Sequence, residues 1–364
     1  MISLHTKWLN GLTNFKLNRT RLILLAPAGA IYGIVGWLRR KFYGRRYTPK
    51  TPTICVGNLA VGGTGKTPHT EYLIRLLDQE NLAVLSRGYG RKTKGYLDST
   101  DTKIAVTAAT FGDEPTQMHQ NFPQITVAVC EKRKEGIEML EQAHDPRIIL
   151  LDDAFQHLQV QCGLNIILTD YSRPYWKDLP MPAGNLREFS TAAHEAKIII
   201  VSKCPETLTR ANAEQMRQQM HLATDQHCYF STLAYGQPRP VNHVAEEMTL
   251  TENTPIHLLT GIANPRPLYH HLKSNFTNLV STEFPDHHTF SKSEVEKLCH
   301  KIAKCDKRTA LLTTEKDWMR LQTDEIRGML QQIPTFVVPV GVRFLFDEGE
   351  QFDQEIKGYC STGL

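Results

Sequence analysis

The sequence predicts an α/β protein with a doubly wound sheet, and three observations predict it. Short apolar, β-branched runs recur along the chain, stretches with helical spacing separate them, and a glycine-rich turn joins one such run to a helix. The length of 364 residues favours two domains, and the hydrophobic content of 41% is enough for substantial cores. We therefore expect two globular units.

The glycine-rich turn has the form of a phosphate-binding loop. A buried strand is predicted at 53–56 and a helix at 68–77, and the sequence between them ends in Gly-Lys-Thr. Glycines let N–H groups wrap phosphate oxygens, Lys66 reaches the β- and γ-phosphates, and Thr67 can ligate Mg²⁺. The motif's first glycine position holds Ala60, and the competing interpretation is a turn that binds nothing. The expected nucleotide-binding residues are Ala60, Val61, Gly62, Gly63, Thr64, Gly65, Lys66 and Thr67.

A predicted strand at 147–153 carries the acids that such a site needs. Its apolar run ends in Asp152 and Asp153, which is the form of a Walker B strand with a Mg²⁺-binding acid at its tip. Many strands end in Asp, so the signal depends on its pairing with the phosphate loop. Further strands at 83–85, 127–129 and 198–201 complete a predicted P-loop NTPase-type α/β/α sandwich.

The segment after the strand at 198–201 indicates the nucleotide. GTP-binding P-loop proteins usually read guanine with Asn-Lys-x-Asp, and this chain has Ser-Lys-Cys-Pro at 202–205. Because the base-reading aspartate is missing, we expect ATP.

An apolar run at 22–38 lies between basic clusters. The basic residues are Lys16, Arg19 and Arg21 before it and Arg39, Arg40, Lys41, Arg45 and Arg46 after it. A signal peptide and a buried core helix are alternatives, and a spanning helix needs about 20 apolar residues. The basic flanks favour a membrane-associated helix that lies in the interface and contacts anionic head groups.

The composition limits the remaining function classes. Charged residues make up 22% of the chain and the formal net charge is +4, which is too small to indicate nucleic acid, so we expect no nucleic-acid partner. The eight cysteines are scattered and form no CxxC pair, which predicts reduced thiols in a cytosolic setting and no zinc site.

Seven further motifs follow or overlap these features in a fixed order. The phosphate loop reads VGNLAVGGTGKTP at 56–68, and the later motifs are SRGYGR at 86–91, GDEP at 112–115, DDAFQH at 152–157, PAGNLRE at 182–188, TGIANP at 260–265, FPDHH at 284–288 and TEKD at 314–317. Together they strongly resemble the tetraacyldisaccharide 4′-kinase family of lipid A biosynthesis, over nearly the whole chain to about Arg343.

The resemblance implies a reaction and a place for it. In that family the γ-phosphate of ATP goes to the 4′-hydroxyl of a tetraacylated glucosamine disaccharide 1-phosphate, giving lipid IV A, with Mg²⁺ as cofactor. The family also implies two α/β/α domains, the second smaller, with both substrates meeting between them. It implies a peripheral or monotopic enzyme on the cytosolic face of the inner membrane, an acylated disaccharide lipid and the membrane surface as partners, and no protein partner.

The resemblance also assigns roles to residues. Asp113 matches the base that takes the hydroxyl proton, and His287 matches its hydrogen-bonding partner from the second domain. Asp152, Asp153 and Glu188 match the Mg²⁺-associated acids, Glu114 is expected near the same ion, and Arg187 is expected to steady phosphate charge. The alternatives without a catalytic role are a turn at GDEP, a loop at FPDHH and a surface salt bridge for Arg187. Arg87 and Arg91 are candidates for the substrate's 1-phosphate, and TEKD could be a solvated helix start.

The domain limits follow from a break in pattern at 235–240. We predict an N-terminal segment at 1–50, a nucleotide-binding domain at 51–232, a smaller α/β domain at 233–345 that opens with a strand at 256–260, and a tail at 346–364 without assigned function. The rival hypotheses are a membrane-associated P-loop ATPase or switch protein without a lipid acceptor, a kinase of a soluble acceptor, and a membrane-anchored scaffold.

Overall fold

The structure is a computed structural model that describes residues 19–78, 80–304 and 308–362. Lys16, part of the predicted basic flank, lies outside the described residues, as does the rest of the segment 1–18. The side chains of Arg19 and Arg21 are also outside the described part.

Fourteen strands are described, and they form two sheets. The strands are β1 (Thr53–Asn58), β2 (Leu82–Ser86), β3 (Leu97–Asp98), β4 (Thr126–Val129), β5 (Ile148–Asp152), β6 (Leu164–Asp170), β7 (Ile198–Ser202), β8 (His227–Tyr235), β9 (Arg239–Pro240), β10 (Ile256–Thr260), β11 (Leu279–Glu283), β12 (Ala310–Thr314), β13 (Thr335–Val338) and β14 (Val340–Phe344). The larger sheet has the order β14-β8-β7-β6-β1-β5-β2-β4-β3, and the smaller has the order β11-β10-β12-β13-β9.

The described helices cover the sheets. They are α1 (Arg19–Lys41), α2 (Lys66–Leu76), α3 (Ala108–Phe111), α4 (Asp113–Asn121), α5 (Arg133–His144), α6 (Arg210–Met220), α7 (His243–Glu246), α8 (Arg266–Asn275), α9 (Lys292–Ala303), α10 (Glu315–Leu321), α11 (Asp324–Leu330) and α12 (Gly349–Thr362), with 3₁₀ turns at Tyr175–Lys177 and Ser190–Glu195. The α/β prediction is confirmed.

Strand β1 lies between β5 and β6 and is parallel to both. All six of its residues are buried, as expected for a central parallel strand whose two faces are covered by helices. Two apolar clusters, one on each face, contain alternate residues of this strand, Cys55 on one side and Ile54 and Val56 on the other. The phosphate loop therefore starts from the rigid centre of the larger sheet.

The chain passes from the larger sheet to the smaller one just after β8, within the pattern break that the sequence shows. The return passes alongside, since the Gly236 amide donates to the Pro339 carbonyl at 2.9 Å. Strand β14, which the predicted limits place in the second domain, pairs antiparallel with β8 of the larger sheet. Helix α12 in the predicted tail buries Phe352 and Ile356 in the core beneath that sheet, because its apolar residues recur at helical spacing.

Helix α1 packs on the larger domain through glycines. Gly29 and Gly33 are buried, and a Cβ on Gly29 would stand 2.8 Å from both the Ala183 Cβ and the Pro180 carbonyl oxygen. The opposite side leaves large apolar side chains exposed: Leu24, Ile31, Ile34, Val35, Leu38 and Phe42. Among the described residues, no helix has the length and apolar character that crossing a bilayer requires.

Candidate active site

The phosphate loop has the backbone that anion binding requires. Gly62 and Gly65 have φ of 108° and 84°, in the region that glycine adopts without strain, and Gly65 caps the N-terminus of α2. Ala60, at the position of the motif's first glycine, instead forms an antiparallel bridge with Leu186. The left-handed turn therefore falls on Gly62, as the neighbouring glycines permitted.

Side chains from other elements fix this loop. Ser202 Oγ donates to the Thr64 carbonyl at 2.7 Å, and Lys203 Nζ donates to the Gly63 carbonyl and, at 3.0 Å, to Asp170 Oδ2. Lys203 lies in the Ser-Lys-Cys-Pro segment that indicates ATP, and its contact with the loop is not predicted from the sequence. Its position could have indicated the contact. Lys203 directly follows β7, which is separated from β1 by one strand, and the carboxyl ends of parallel strands lie at the same edge of a sheet.

Asp152 and Asp153 stand at the carboxyl end of β5, beside the loop. Val56 of β1 lies opposite Asp152 in the sheet register. Burial, the neighbouring Asp153 charge and the charge of Glu114 raise the pKa of Asp152 to about 6, although Ser86 Oγ donates to its Oδ2 at 3.1 Å. Its Oδ1 is buried without a hydrogen-bond partner in the described structure. A buried anionic oxygen without a donor fits a cation site.

Lys66 and Arg187 converge on Asp153. Lys66 Nζ lies 3.6 Å and Arg187 Nη1 3.3 Å from Asp153 Oδ1. Burial acts to raise the pKa of Asp153, but the two cations outweigh it and the pKa lies below its usual range. The structure therefore brings three predicted site residues together, and with the adjacent Asp152 they make four at the carboxyl ends of β1 and β5.

The other two predicted Mg²⁺-associated acids bind cations of the protein instead. Both carboxylate oxygens of Glu188 accept from Arg40 at 2.8 Å, and Glu114 Oε1 lies 2.8 Å from Lys316 Nζ. In the described part of the chain, no group of three or more His, Cys, Asp or Glu is arranged to hold a metal. A Mg²⁺ site with one or two carboxylates, completed by phosphates and water, agrees with this.

Asp113 begins α4 and is fixed by a sharp turn. Gly112 ends α3 and caps α4 with φ of 94°, and a Cβ there would stand 2.8 Å from the Tyr89 carbonyl oxygen. Only glycine fits both demands, so GDEP is a helix junction rather than a simple turn. Burial acts to raise the pKa of Asp113, but contacts with His287 and Arg320 and the charge of Lys316 lower it overall.

His287 comes from the smaller sheet and approaches this carboxylate. Its Nδ1 lies 3.6 Å from Asp113 Oδ2. The structure brings the two residues side by side through the loop after β11, and the expectation that they meet only when the domains close stays a prediction. Tyr89 of the SRGYGR motif packs edge-on against the imidazole, with ring centroids 5.8 Å apart.

Sequence reasoning missed the two cations next to this pair. Arg320 Nε donates to Asp113 Oδ2 at 2.7 Å, and Lys316 Nζ lies 3.3 Å from His287 Nε2. TEKD does start a helix, α10, but the expectation that this start is solvated was wrong, because Glu315 and Asp317 are buried. The four-residue spacing of Lys316 and Arg320 was the available signal.

The two arginines of the SRGYGR loop have different surroundings. Arg91 Nη2 donates to Glu131 Oε1 at 2.7 Å and to the Gly95 carbonyl at 2.6 Å, so its charge is used within the protein. Arg87 is exposed. Of these two candidates for a substrate phosphate, Arg87 is the accessible one.

Known proteins resemble this chain over nearly its full length. The family model described as tetraacyldisaccharide-1-P 4′-kinase matches residues 21–360. The tetraacyldisaccharide 4′-kinase of Bacteroides thetaiotaomicron is 40% identical over 353 residues, covering 92% of each chain. That of Flavobacterium johnsoniae is 36% identical over 361 residues, covering 96% of this chain and 99% of the other.

A solved structure agrees with these relatives. The crystal structure of LpxK from Aquifex aeolicus in complex with ATP matches with a TM-score of 0.68 at 25% identity, covering 93% of this chain and 99% of that one. The predicted family and the P-loop type of fold are therefore confirmed. By sequence, fold and the arrangement of its phosphate loop and acids, this chain belongs to the tetraacyldisaccharide-1-phosphate 4′-kinase family.

Proposed function

We propose that this protein transfers the γ-phosphate of ATP to the 4′-hydroxyl of a tetraacylated glucosamine disaccharide 1-phosphate, giving lipid IV A. The observation that carries the proposal is the approach of His287 to Asp113 beside the phosphate-loop site. Gly112, which precedes Asp113, packs against the loop that follows β2, and Ser86 at the end of β2 donates to Asp152, so the Asp113 carboxylate stands near the acids beside the phosphate loop. A base in that place is what a hydroxyl acceptor requires.

The loop residues account for the nucleotide. The N–H groups turned by Gly62 and Gly65 and the N-terminus of α2 bind the phosphates, and Lys66 reaches the transferred group. Asp152, Asp153 and Thr67 would hold Mg²⁺, which when bound neutralises charge on the phosphates. Arg187 is placed beside Asp153 to steady the same charge. Glu188 and Glu114 act in this proposal through Arg40 and Lys316 instead of binding the ion.

Asp113 performs the proton transfer. It accepts the proton of the acceptor hydroxyl as the oxygen–phosphorus bond forms and the bond from the γ-phosphorus to the β–γ bridging oxygen breaks. With a pKa below its usual range, Asp113 is ionised at neutral pH, although the contacts that lower the pKa also make the carboxylate a weaker base. His287 orients the carboxylate from the other domain, so the base is complete only when the two domains meet.

Helix α1 supports the part of the proposal that concerns the membrane. Its outer side exposes Leu24 to 72% and Ile31 to 64%, and Arg39 and Lys41 follow in the same helix. An apolar side with adjacent basic residues suits the acyl boundary of an anionic leaflet. We place the enzyme peripherally on the cytosolic face of the inner membrane, with the head group of its lipid at the level of the phosphate loop.

The test is transfer of labelled γ-phosphate to tetraacyldisaccharide 1-phosphate in detergent micelles. Wild type should label the lipid, and Asp113→Asn should label it at least about 100 times more slowly while still binding ATP. Folded wild type that binds and hydrolyses ATP but never labels the lipid would overturn the proposal and favour a P-loop ATPase. Equal transfer by the variant would keep the kinase and remove Asp113 as its base.

A further inference from the structure

Helix α10 presents two cations to the Asp113–His287 pair. Lys316 and Arg320 are four residues apart, so their side chains lie on one face of the helix. Lys316 pairs with Glu114 at 2.8 Å and Arg320 pairs with Asp113 at 2.7 Å. The first turn of α4 in the larger domain is thus held by two adjacent ion pairs to the smaller domain.

The guanidinium of Arg320 is fixed on all sides. Besides Nε on Asp113, its Nη1 donates to the Gly261 carbonyl and to Asp317 Oδ1, both at 3.0 Å. Asp317 is itself fully buried and also accepts from the Gly261 amide at 2.9 Å. Because its side chain is only 6% exposed and its fork is anchored to backbone, Arg320 defines where the Asp113 carboxylate stands.

His287 has one of these cations at each ring nitrogen. Arg320 Nη2 lies 3.2 Å from Nδ1, and Lys316 Nζ lies 3.3 Å from Nε2. Protonated lysine and arginine only donate, whereas a neutral imidazole has one accepting nitrogen and one N–H. In any one tautomer, therefore, only one of the two contacts is a hydrogen bond. If Nε2 accepts from Lys316, Nδ1 carries the proton, and the acceptor that faces this proton is Asp113 Oδ2 at 3.6 Å, because Arg320 Nη2 can only donate.

We propose that Lys316 and Arg320 are positioning residues for the transfer proposed above: Arg320 fixes the carboxylate of Asp113, and Lys316 selects the tautomer in which His287 donates Nδ1–H to it. The inference rests on the proposed function. Both partners of Asp113 then use Oδ2, which leaves Oδ1 to receive the hydroxyl proton. Helix α10 of the smaller domain thus positions the Asp113 carboxylate of the larger domain when the two domains are in contact.

The first test separates kcat from KM. Arg320→Gln should lower kcat about 100-fold and Lys316→Gln about 10-fold, while the KM for ATP stays within about twofold, because neither residue contacts the phosphate loop. Arg320→Lys keeps one donor and loses the fork, so its kcat should fall between those of wild type and Arg320→Gln. Arg327→Gln and Lys297→Gln, at exposed positions of the same domain, should match wild type.

The second test asks whether the cations act through His287. In the His287→Ala background, Lys316→Gln should lower kcat by less than about threefold, because the imidazole that Lys316 positions is absent. If Lys316 has a purely structural role, the kcat losses of the two single variants should multiply in the double variant. They should also correlate with a lowered thermal unfolding midpoint. If Arg320→Gln does not fold, Arg320→Lys and the partly exposed Lys316→Gln carry the same test.

The third test does not depend on activity. Imidazole nitrogen chemical shifts distinguish the two tautomers in protein with labelled histidine, and the His287→Gln spectrum identifies the signal. Wild type should show the Nδ1–H tautomer, and Lys316→Gln should shift the population toward Nε2–H. An unchanged tautomer in Lys316→Gln overturns the inference even if the kinase is active. Absence of lipid phosphorylation by wild type, with the tautomer shift present, overturns the function and keeps the positioning.

Discussion

His287 Nδ1 lies 3.6 Å from Asp113 Oδ2, although Asp113 begins a helix beside the larger sheet and His287 lies in a loop of the smaller one. His287 has φ of 58°, an uncommon conformation for a residue other than glycine, in the loop that follows β11. Backbone held in such a region is characteristic of sites where geometry matters more than local stability. The smaller domain therefore contributes a residue to a site that the larger domain does not complete alone.

His287→Ala should lower kcat for lipid phosphorylation by about 10- to 100-fold and leave ATP affinity unchanged, since the carboxylate remains and loses only its orienting partner. The adjacent His288 is the matched control. It stacks on Phe284 at a centroid distance of 4.4 Å and bonds Glu294 at 3.1 Å, so His288→Ala should affect the unfolding temperature more than kcat. Equal kcat losses in both variants would contradict the assignment.

The parts of this site that the sequence predicts are local ones. About 25 consecutive residues form the strand, the glycine turn and the helix that bears Lys66. Their geometry follows from local backbone preferences. The apolar run before Asp152 likewise encodes a central strand whose end must meet the loop. These features need no knowledge of distant contacts.

The parts that the sequence does not predict depend on contacts between distant segments. Arg320 meets Asp113 only because α10 and α4 pack across the two domains; the spacing of Lys316 and Arg320 indicates a shared helix face but not the carboxylate that this face meets. In the same way, Glu188 meets Arg40 only because α1 packs on the larger domain. In both cases a carboxylate is neutralised by a partner more than 100 positions away, which no periodicity reveals.

A buried glutamate at the junction of the domains makes stability depend on pH. Glu71 on α2 is fully buried, accepts from Gln117 and Asn121 at 2.8 and 3.1 Å, and lies near the charge of Glu315. Burial and that charge outweigh the ion pair with Arg75 at 3.1 Å and raise the pKa of Glu71 from 4.5 to about 7. Between these values the folded state holds more protons than the unfolded state, so stability falls as pH rises through the window.

Glu71→Gln should therefore raise the unfolding free energy at pH 8 by up to about 3 kcal/mol and leave it nearly unchanged at pH 4. Chemical denaturation at both pH values measures this. Glu80→Gln, at a partly exposed surface ion pair with Arg147, is the control and should show no such dependence. A loss of stability at pH 8 in Glu71→Gln would mean that the charged form is the favoured one.

Lys203 should contribute to ATP affinity although it is not expected to contact a phosphate. It ties the Gly63 carbonyl to Asp170 and so holds the loop in its binding shape before the nucleotide arrives. Lys203→Ala should weaken ATP binding about tenfold by calorimetry, with kcat at saturating ATP within about threefold of wild type. Lys177→Ala, at an exposed position, is the control, and unchanged affinity in Lys203→Ala would show that the loop holds its shape unaided.

The glycines of α1 should decide whether the helix stays on the protein. An added methyl at Gly29 meets the backbone carbonyl of Pro180 at 2.8 Å, which cannot move aside, whereas one at Gly36 stands 3.6 Å from the Glu188 side chain at ordinary contact distance. Alanine otherwise favours a helix over glycine by about 1 kcal/mol. Gly36→Ala should thus be neutral or stabilising, and Gly29→Ala should loosen α1, seen as faster hydrogen exchange across 24–42. Lipid phosphorylation in vesicles should fall in Gly29→Ala while ATP binding is kept, because the phosphate loop is untouched. Slow exchange in both variants would mean that the helix can shift along the core without releasing it.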